Sequence, residues 1–211
     1  MFYLVKTPNW VSKLFAGSIW EMPVTEKTIY LTFDDGPHPL ITPFVLQELG
    51  KYNALATFFC IGKNVEGNKA VYERILDEGH AVGNHTFDHL DGWKTKNAMY
   101  ISNVLKAREG IDSDLFRPPY GRITSRQHKT LTQSPNPFKI IMWSVLSGDF
   151  DLTLSPEQCC NNIMKHTKSG SVIVFHDSEK AYDRMKFALP VILKHFTEQG
   201  YLFKKLDFKN G

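Results

Sequence analysis

Cysteine is scarce in this 211-residue chain: Cys60, Cys159 and Cys160 are the whole complement. Two of them are sequence neighbours, a poor geometry for bridging to each other, and an odd count leaves no paired framework. A disulfide-stapled small domain is thereby excluded, and free thiols in a reducing, cytoplasmic compartment are the expectation. Long apolar runs are missing as well. The first twenty residues, MFYLVKTPNWVSKLFAGSIW, are broken by Lys6, Pro8, Asn9 and Lys13. An export signal needs roughly 7–15 continuous apolar residues before a small-residue cleavage site. This stretch reads instead as an amphipathic segment covering part of the core, with attachment to a membrane surface as the alternative. No window approaches the ~20 apolar residues of a membrane span. An excess of one charge is also lacking: 25 Lys and Arg against 22 Asp and Glu leave +3. The basic tail Lys204, Lys205 and Lys209 reads as a solvated end, so nothing points to nucleic acid. With no internal repeat, the length fits one domain.

What the chain does contain is a regular alternation. TIYLTF (28–33), ALATFFCIG (54–62), HAVGNH (80–85), KIIMW (139–143), SVIVFH (171–176) and GYLFKKL (200–206) read as strands. Between them, 40–52, 68–80, 95–109 and 181–199 have helical spacing, and Ser155-Pro156-Glu157 is a helix start with a serine cap and proline in the first turn. Such alternation predicts an α/β fold with a parallel sheet, open or closed into a barrel, whose working groups cluster at the C-terminal ends of the strands. Polar residues stand where that rule asks for them. Asp34 and Asp35 follow the first strand, His85 ends the third, Asp149 lies shortly after Trp143, and His176 ends the strand 171–176.

Each cluster has an ordinary structural explanation and a chemical one. Asp34-Asp35 in TFDDGPHP is an Asp-rich turn, or a pair of carboxylates whose duties a cation separates. His85 and His89 in NHTFDH are two unrelated histidines, or imidazoles that share a helix face or a tight loop and reach one ion. One carboxylate and two histidines form a ligand set for a divalent ion with positions left open. Asp35 would complete that set, leaving Asp34 as base for a water whose pKa the ion lowers towards ~7. Arg117-Pro118-Pro119-Tyr120-Gly121 is a proline-stiffened loop, or a rigid mount holding the guanidinium against a carboxylate and aiming a backbone N–H at a reacting oxygen. His176, with the acid neighbour Asp177, is a hydrogen-bonded strand end or a general acid.

Taken in order, TFDDG, HTFDH, RPPYG, WSVLSGDF and VFHD resemble the five motifs of the polysaccharide deacetylases, carbohydrate esterase family four, from about Thr28 to Leu206. The resemblance implies a single-domain distorted (β/α) barrel with about seven strands. Residues 28–207 would be the catalytic domain and 1–27 a covering segment. It implies a hydrolase that removes N-acetyl groups from an amino-sugar polymer or oligosaccharide. By the same resemblance Asp34 is the catalytic base, and Asp35, His85 and His89 hold one divalent ion. Zinc is expected there, with cobalt, nickel or iron accepted. Arg117 orients Asp34, the Tyr120 N–H is the oxyanion donor, His176 is the general acid, and Asp149 pairs with Arg117.

Two motifs depart from the family pattern. Where motif four often reads DxxDW, this chain has Leu146 and Phe150 at the ends, and Val174 replaces the leucine of LxH. Phe33, Trp143, Phe150 and Phe175 are candidates to stack on a sugar, although for each a place in the core is the favoured reading. Two other readings stay open at this level. One is a sugar-binding pseudoenzyme; the other is a facial-triad iron(II) oxygenase, which the adjacent Asp34 argues against.

Overall fold

The computed structural model describes residues 3–8, 10 and 17–208. Among these, nine strands form one sheet: β1 (Ser18–Ile19), β2 (Thr28–Asp34), β3 (Ala56–Cys60), β4 (Ala81–Asn84), β5 (Leu115–Phe116), β6 (Lys139–Ile141), β7 (Val145–Leu146), β8 (Val172–His176) and β9 (Leu202–Phe203). Seven helices connect them: α1 (Ile41–Gly50), α2 (Gly62–Gly67), α3 (Lys69–Asp77), α4 (Asn97–Arg108), α5 (Ser125–Thr132), α6 (Pro156–His166) and α7 (Tyr182–Glu198). The alternation expected from the sequence is present, and α6 begins on Ser155 with a full capping box to Gln158. The strand count exceeds seven because β1, β5 and β7 are two-residue elements that leave no periodic trace.

The strand order is β1-β6-β5-β4-β3-β2-β8-β7, all pairings between strands being parallel, with β9 beside the start of β2. This order forces curvature. Only residues 142–144 separate β6 from β7, a reach of roughly 14 Å at ~3.5 Å per residue. In a flat sheet those two strands, six places apart, would be about 29 Å from each other at ~4.8 Å per strand. The sheet therefore curls until its ends approach, which makes a distorted barrel. Residues 5–7 line the β7 side of the gap: Lys6 bridges Val145 in antiparallel fashion, Leu146 N donates to Val5 O, and Thr7 N donates to Ser144 O.

Both faces of the sheet are buried, so β2 is inaccessible along all seven residues. Strand alternation divides them. Ile29, Leu31 and Phe33 pack outward with Phe58, Phe175 and the helices α1 and α7, while Tyr30 joins Phe59, Ile141 and Val172 inside. Thr32 and Asp34 share the inward phase, and this carries a carboxylate to the mouth of the barrel. The three cysteines are free and buried. Lys204 pairs with Glu26, and Lys205 Nζ donates to Gly79 O, so these two are tied down and not simply solvated. Lys209 and most of the leader's first sixteen residues lie outside the described residues. No helix among the described residues is long and apolar enough to cross a membrane.

Gly83 in β4 shows how tight the interior is: a Cβ there would lie 2.5 Å from the Phe59 ring. Overpacking of this kind costs about 1–3 kcal/mol, and each kcal/mol moves Tm by about 2–4 °C in a domain of this size. Gly83→Ala is therefore expected to lower Tm by several degrees in a calorimetric scan, and an unchanged Tm would contradict the packing.

Candidate active site

The mouth of the barrel is organised from Arg117, which follows β5 and is fully buried. Its Nη1 donates to Asp34 Oδ1 at 2.7 Å and to Thr32 Oγ1 at 2.7 Å. Its Nη2 donates to Met142 O at 3.0 Å, and its Nε to Ile141 O at 3.3 Å. The guanidinium also lies 4.1 Å over the Phe59 ring. Burial pulls its pKa below the ordinary arginine value, and the Asp34 charge opposes that shift. The backbone of the same residue serves a second group: Arg117 O accepts from His85 Nδ1 at 2.7 Å. That bond places the Nδ1 proton and leaves Nε2 as the free lone pair.

His85 and His89 come together in a loop, not on a helix. Thr86 and His89 both adopt left-handed backbone conformations, with φ of 64° and 57°. The loop is pinned from outside: Asn84 Oδ1 accepts from Thr86 N, Asn103 Oδ1 accepts from Phe87 N and Asp88 N, and Thr86 O and Phe87 O accept from the first turn of α2. Asp35 is also left-handed, at φ 84°. This turns it away from its neighbour Asp34 and towards the histidines. Its Oδ1 lies 3.2 Å from His89 Nε2 and 3.9 Å from His85 Nε2, and the ligand atoms of all three lie within 4.8 Å of one another. Ligands bound at ~2.0–2.1 Å in a tetrahedron stand roughly 3.4 Å apart. The oxygen and two nitrogens therefore fit a divalent ion with little movement.

Burial holds His85 down to about 4, so it is neutral and available as a ligand at pH 7. Burial alone would raise Asp35, but the His89 hydrogen bond and the electrostatic influence of the surrounding imidazoles, His176 first, bring it below the usual carboxylate range.

His176 is the register partner of Asp34 across β2 and β8. Asp149 Oδ1 lies 2.8 Å from its Nδ1, and Asp149 Oδ2 accepts from its backbone N at 2.7 Å. The expectation that Asp149 pairs with Arg117 is thus corrected. Gly148, left-handed at φ 81°, turns Asp149 back onto β8, while Arg117 is already filled by β2 and the residues around β6. The neighbour Asp177 does not serve His176 either. It accepts from Gly36 N at 2.9 Å and from Thr42 Oγ1, and burial raises its carboxyl to about 7.

Tyr120, also left-handed at φ 59°, sits with its ring 4.8 Å from that of His89. Of the four candidate stacking aromatics, Phe33 and Phe175 are core residues stacked on each other. Trp143 packs on Trp20, and Phe150 lies between Tyr3 and His176. The altered motif positions Leu146 and Val174 are buried register neighbours, so the bulk lost at one is adjacent to the bulk gained at the other.

A half-buried carboxylate–imidazole centre at the strand ends of a (β/α) barrel is the working arrangement of a metal-dependent hydrolase. Residues 21–135 match the polysaccharide deacetylase family, and the chain belongs to it. It is 35% identical over 190 residues to a peptidoglycan-N-acetylglucosamine deacetylase of Bacillus cereus, covering 87% of this chain and 88% of that one. A chitooligosaccharide deacetylase of Azorhizobium caulinodans is 35% identical over 168 residues, 76% of this chain and 79% of its own. Among solved structures, a peptidoglycan N-acetylglucosamine deacetylase crystallised with a naphthyl N-hydroxybenzamide superposes with a TM-score of 0.85 at 32% identity, covering 95% of both chains. Membership removes the oxygenase reading.

The Asp149 contact has a measurable consequence. Burial would lower the His176 pKa, but the charge and hydrogen bond of Asp149, aided by Asp35 and Asp34, raise it to about 9. A folded value above the unfolded ~6.5 means stability fully present below pH 6.5 and lost as pH rises through 9. An NMR titration of the His176 ring in metal-free protein is expected to show a midpoint near 9, and Asp149→Asn should bring it well down. An unchanged midpoint in that variant would remove Asp149 as the cause.

Proposed function

We propose that this protein is a metal-dependent N-deacetylase that hydrolyses the acetamide of an N-acetylated amino sugar in a polymer or oligosaccharide, releasing acetate. The observation that carries the reading is the convergence of Asp35, His85 and His89 within 4.8 Å, beside an aspartate held by Arg117 and a histidine held by Asp149. N-acetylglucosamine units are the proposed substrate, since the relatives named above are deacetylases of peptidoglycan and chitooligosaccharides. Residues 28–207 carry the activity in this reading, and residues 1–27 cover the barrel.

Asp35, His85 and His89 would hold the ion, with zinc the proposed occupant of this oxygen–nitrogen–nitrogen set. When bound there, a divalent ion supplies a Lewis acid for the acetyl carbonyl and lowers the pKa of water. The remaining steps belong to the chain. Asp34, immobilised by Arg117, takes the proton of the attacking water. The Tyr120 N–H donates to the carbonyl oxygen as it becomes an oxyanion, a contribution of about 3 kcal/mol for one such donor. His176 is cationic at neutral pH and has Nδ1 committed to Asp149, so its Nε2 delivers a proton to the departing nitrogen as the C–N bond breaks. Acetate and a free amino sugar result.

Acetate release should be followed over a panel of N-acetylated glycans, with metal content measured on the same preparation. Activity is expected to fall on chelation and return with zinc. His176→Ala should lower kcat by about 10²–10⁴, with Tm within a few degrees of the parent. Asp34→Asn should abolish turnover. Acetate release that ignores chelation, or a metal-loaded Asp34→Asn protein of near-normal turnover, would sink the assignment.

A further inference from the structure

Asp177 is a buried carboxylate that the proposed chemistry leaves unused. It follows β8, one residue beyond His176, and is 1% exposed. Two parts of it reach the turn after β2. Its backbone N donates to Asp34 O at 3.1 Å, and its Oδ1 accepts from Gly36 N at 2.9 Å. Those two atoms belong to the peptide groups on either side of Asp35. The relative orientation of two successive peptide planes is what φ and ψ of the residue between them describe. One residue therefore holds the left-handed step at Asp35, φ 84°, from both ends. The rest of the turn is tied to the start of α2: Asp35 O accepts from Asn64 Nδ2 at 2.7 Å, and Gly36 O accepts from Ile61 N at 2.9 Å.

The carboxylate is itself fixed. Its Oδ2 accepts from Thr42 Oγ1 in the first turn of α1, and that hydroxyl accepts from His38 N at 2.8 Å. Gly36 is not at positive φ; what it supplies is room, since a Cβ there would lie 2.0 Å from Asp177 Oδ2. A buried carboxylate is costly unless its oxygens are met. The cations of the site are taken, Arg117 by Asp34 and His176 by Asp149. Both side-chain acceptors of Asp177 are spent instead on residues 36 and 42, which flank the segment that presents Asp35. We propose that Asp177 is a positioning residue for the ion ligand Asp35: it clamps the two peptides around that residue and so aims its carboxylate at His85 and His89. The inference rests on the metal reading above and adds to it a residue that touches neither ion nor substrate.

The test is zinc affinity, by competition with a chromophoric chelator at pH 8, above the Asp177 value of about 7. Tm of the metal-free protein and backbone amide exchange are recorded on the same preparations. Partners that orient a metal ligand contribute about 10–100-fold in affinity, so Asp177→Ala is expected to bind zinc roughly tenfold or more weakly than the parent. Asp177→Asn keeps an acceptor for Gly36 N and can turn an amide N–H to Thr42 Oγ1, so it should stay within about threefold. Gly36→Ala attacks the same contact from the other side and should weaken zinc by a similar factor to Asp177→Ala. A residue that served stability alone would lower Tm in these variants and leave zinc affinity in place. In the metal-free parent the Gly36 amide should be protected from exchange, a reading that needs no variant. Zinc bound equally tightly by parent and Asp177→Ala, or a Gly36 amide that exchanges freely in the parent, would overturn the clamp. A parent that binds no zinc, with a Gly36 amide protected there and released in Asp177→Ala, defeats the metal reading and leaves the clamp on the turn standing.

Discussion

A fully buried arginine inside a barrel is a liability unless each of its donors is met, because taking a cation out of water costs several kcal/mol even after relaxation. Arg117 is met on all sides: Asp34 and Thr32 from β2, Ile141 and Met142 around the end of β6, and the Phe59 face from β3. These groups come from opposite walls of the curled sheet. The guanidinium therefore braces the barrel at the level where its mouth begins. Two features of the site depend on that brace. It sets where the Asp34 carboxylate stands, and through Arg117 O it sets which nitrogen of His85 is free. An arginine is suited to the task because its planar fork makes several bonds in fixed directions, which a lysine ammonium does not.

The second constraint is backbone conformation. Asp35, Thr86, His89 and Tyr120 all sit at positive φ, a region that non-glycine residues seldom occupy. All four surround the candidate metal site. Strain of this kind persists where surrounding bonds over-determine it: in the histidine loop Asn84, Asn103 and the first turn of α2 supply those bonds, and Asp35 O accepts from Asn64 Nδ2. The mutual geometry of Asp35, His85 and His89 is thus set by the backbone that carries them.

Much of this was legible in the sequence, and the exceptions have physical reasons. The long strands and helices announce themselves because burial on both sheet faces writes continuous apolar runs and helix burial writes a 3.6 period. β1, β5 and β7 are too short to write either. Asp34, Asp35, His85 and His176 could be picked out because chain connectivity alone puts them at strand ends. Asp149 could be located but not partnered: its choice of His176 over Arg117 turns on the left-handed turn at Gly148, which leaves no periodic signature. The core place favoured for Phe33 and Phe175 is the one they occupy, while the aromatics exposed near the site were missed for a related reason. Phe33 and Phe175 lie in strand phases that face the helices. The rings that do reach solvent near the site, Trp93 and Tyr120, ride on turns. An Asp-Gly step followed by a tryptophan four residues beyond His89, a candidate ligand, was the available signal.

Charge arithmetic explains why two adjacent aspartates are tolerated and why a cation belongs beside one of them. Asp34 is neutralised by Arg117, and Asp149 is neutralised by His176, which stays protonated to about 9. His85 is neutral at pH 7. Among Asp34, Asp35 and Asp149, Asp35 is then the carboxylate without a permanent countercharge of its own, and the ring nitrogens of His85 and His89 lie close to it. Like charges on neighbouring carboxylates ordinarily force one to hold a proton. Here the left-handed turn at Asp35 separates the two side chains and gives each its own environment: a guanidinium for Asp34, and imidazole donors around a cation-sized space for Asp35. The same dipeptide thus sets one carboxylate against the buried guanidinium and the other against two imidazoles, the separation that the proposed roles of base and ion ligand require.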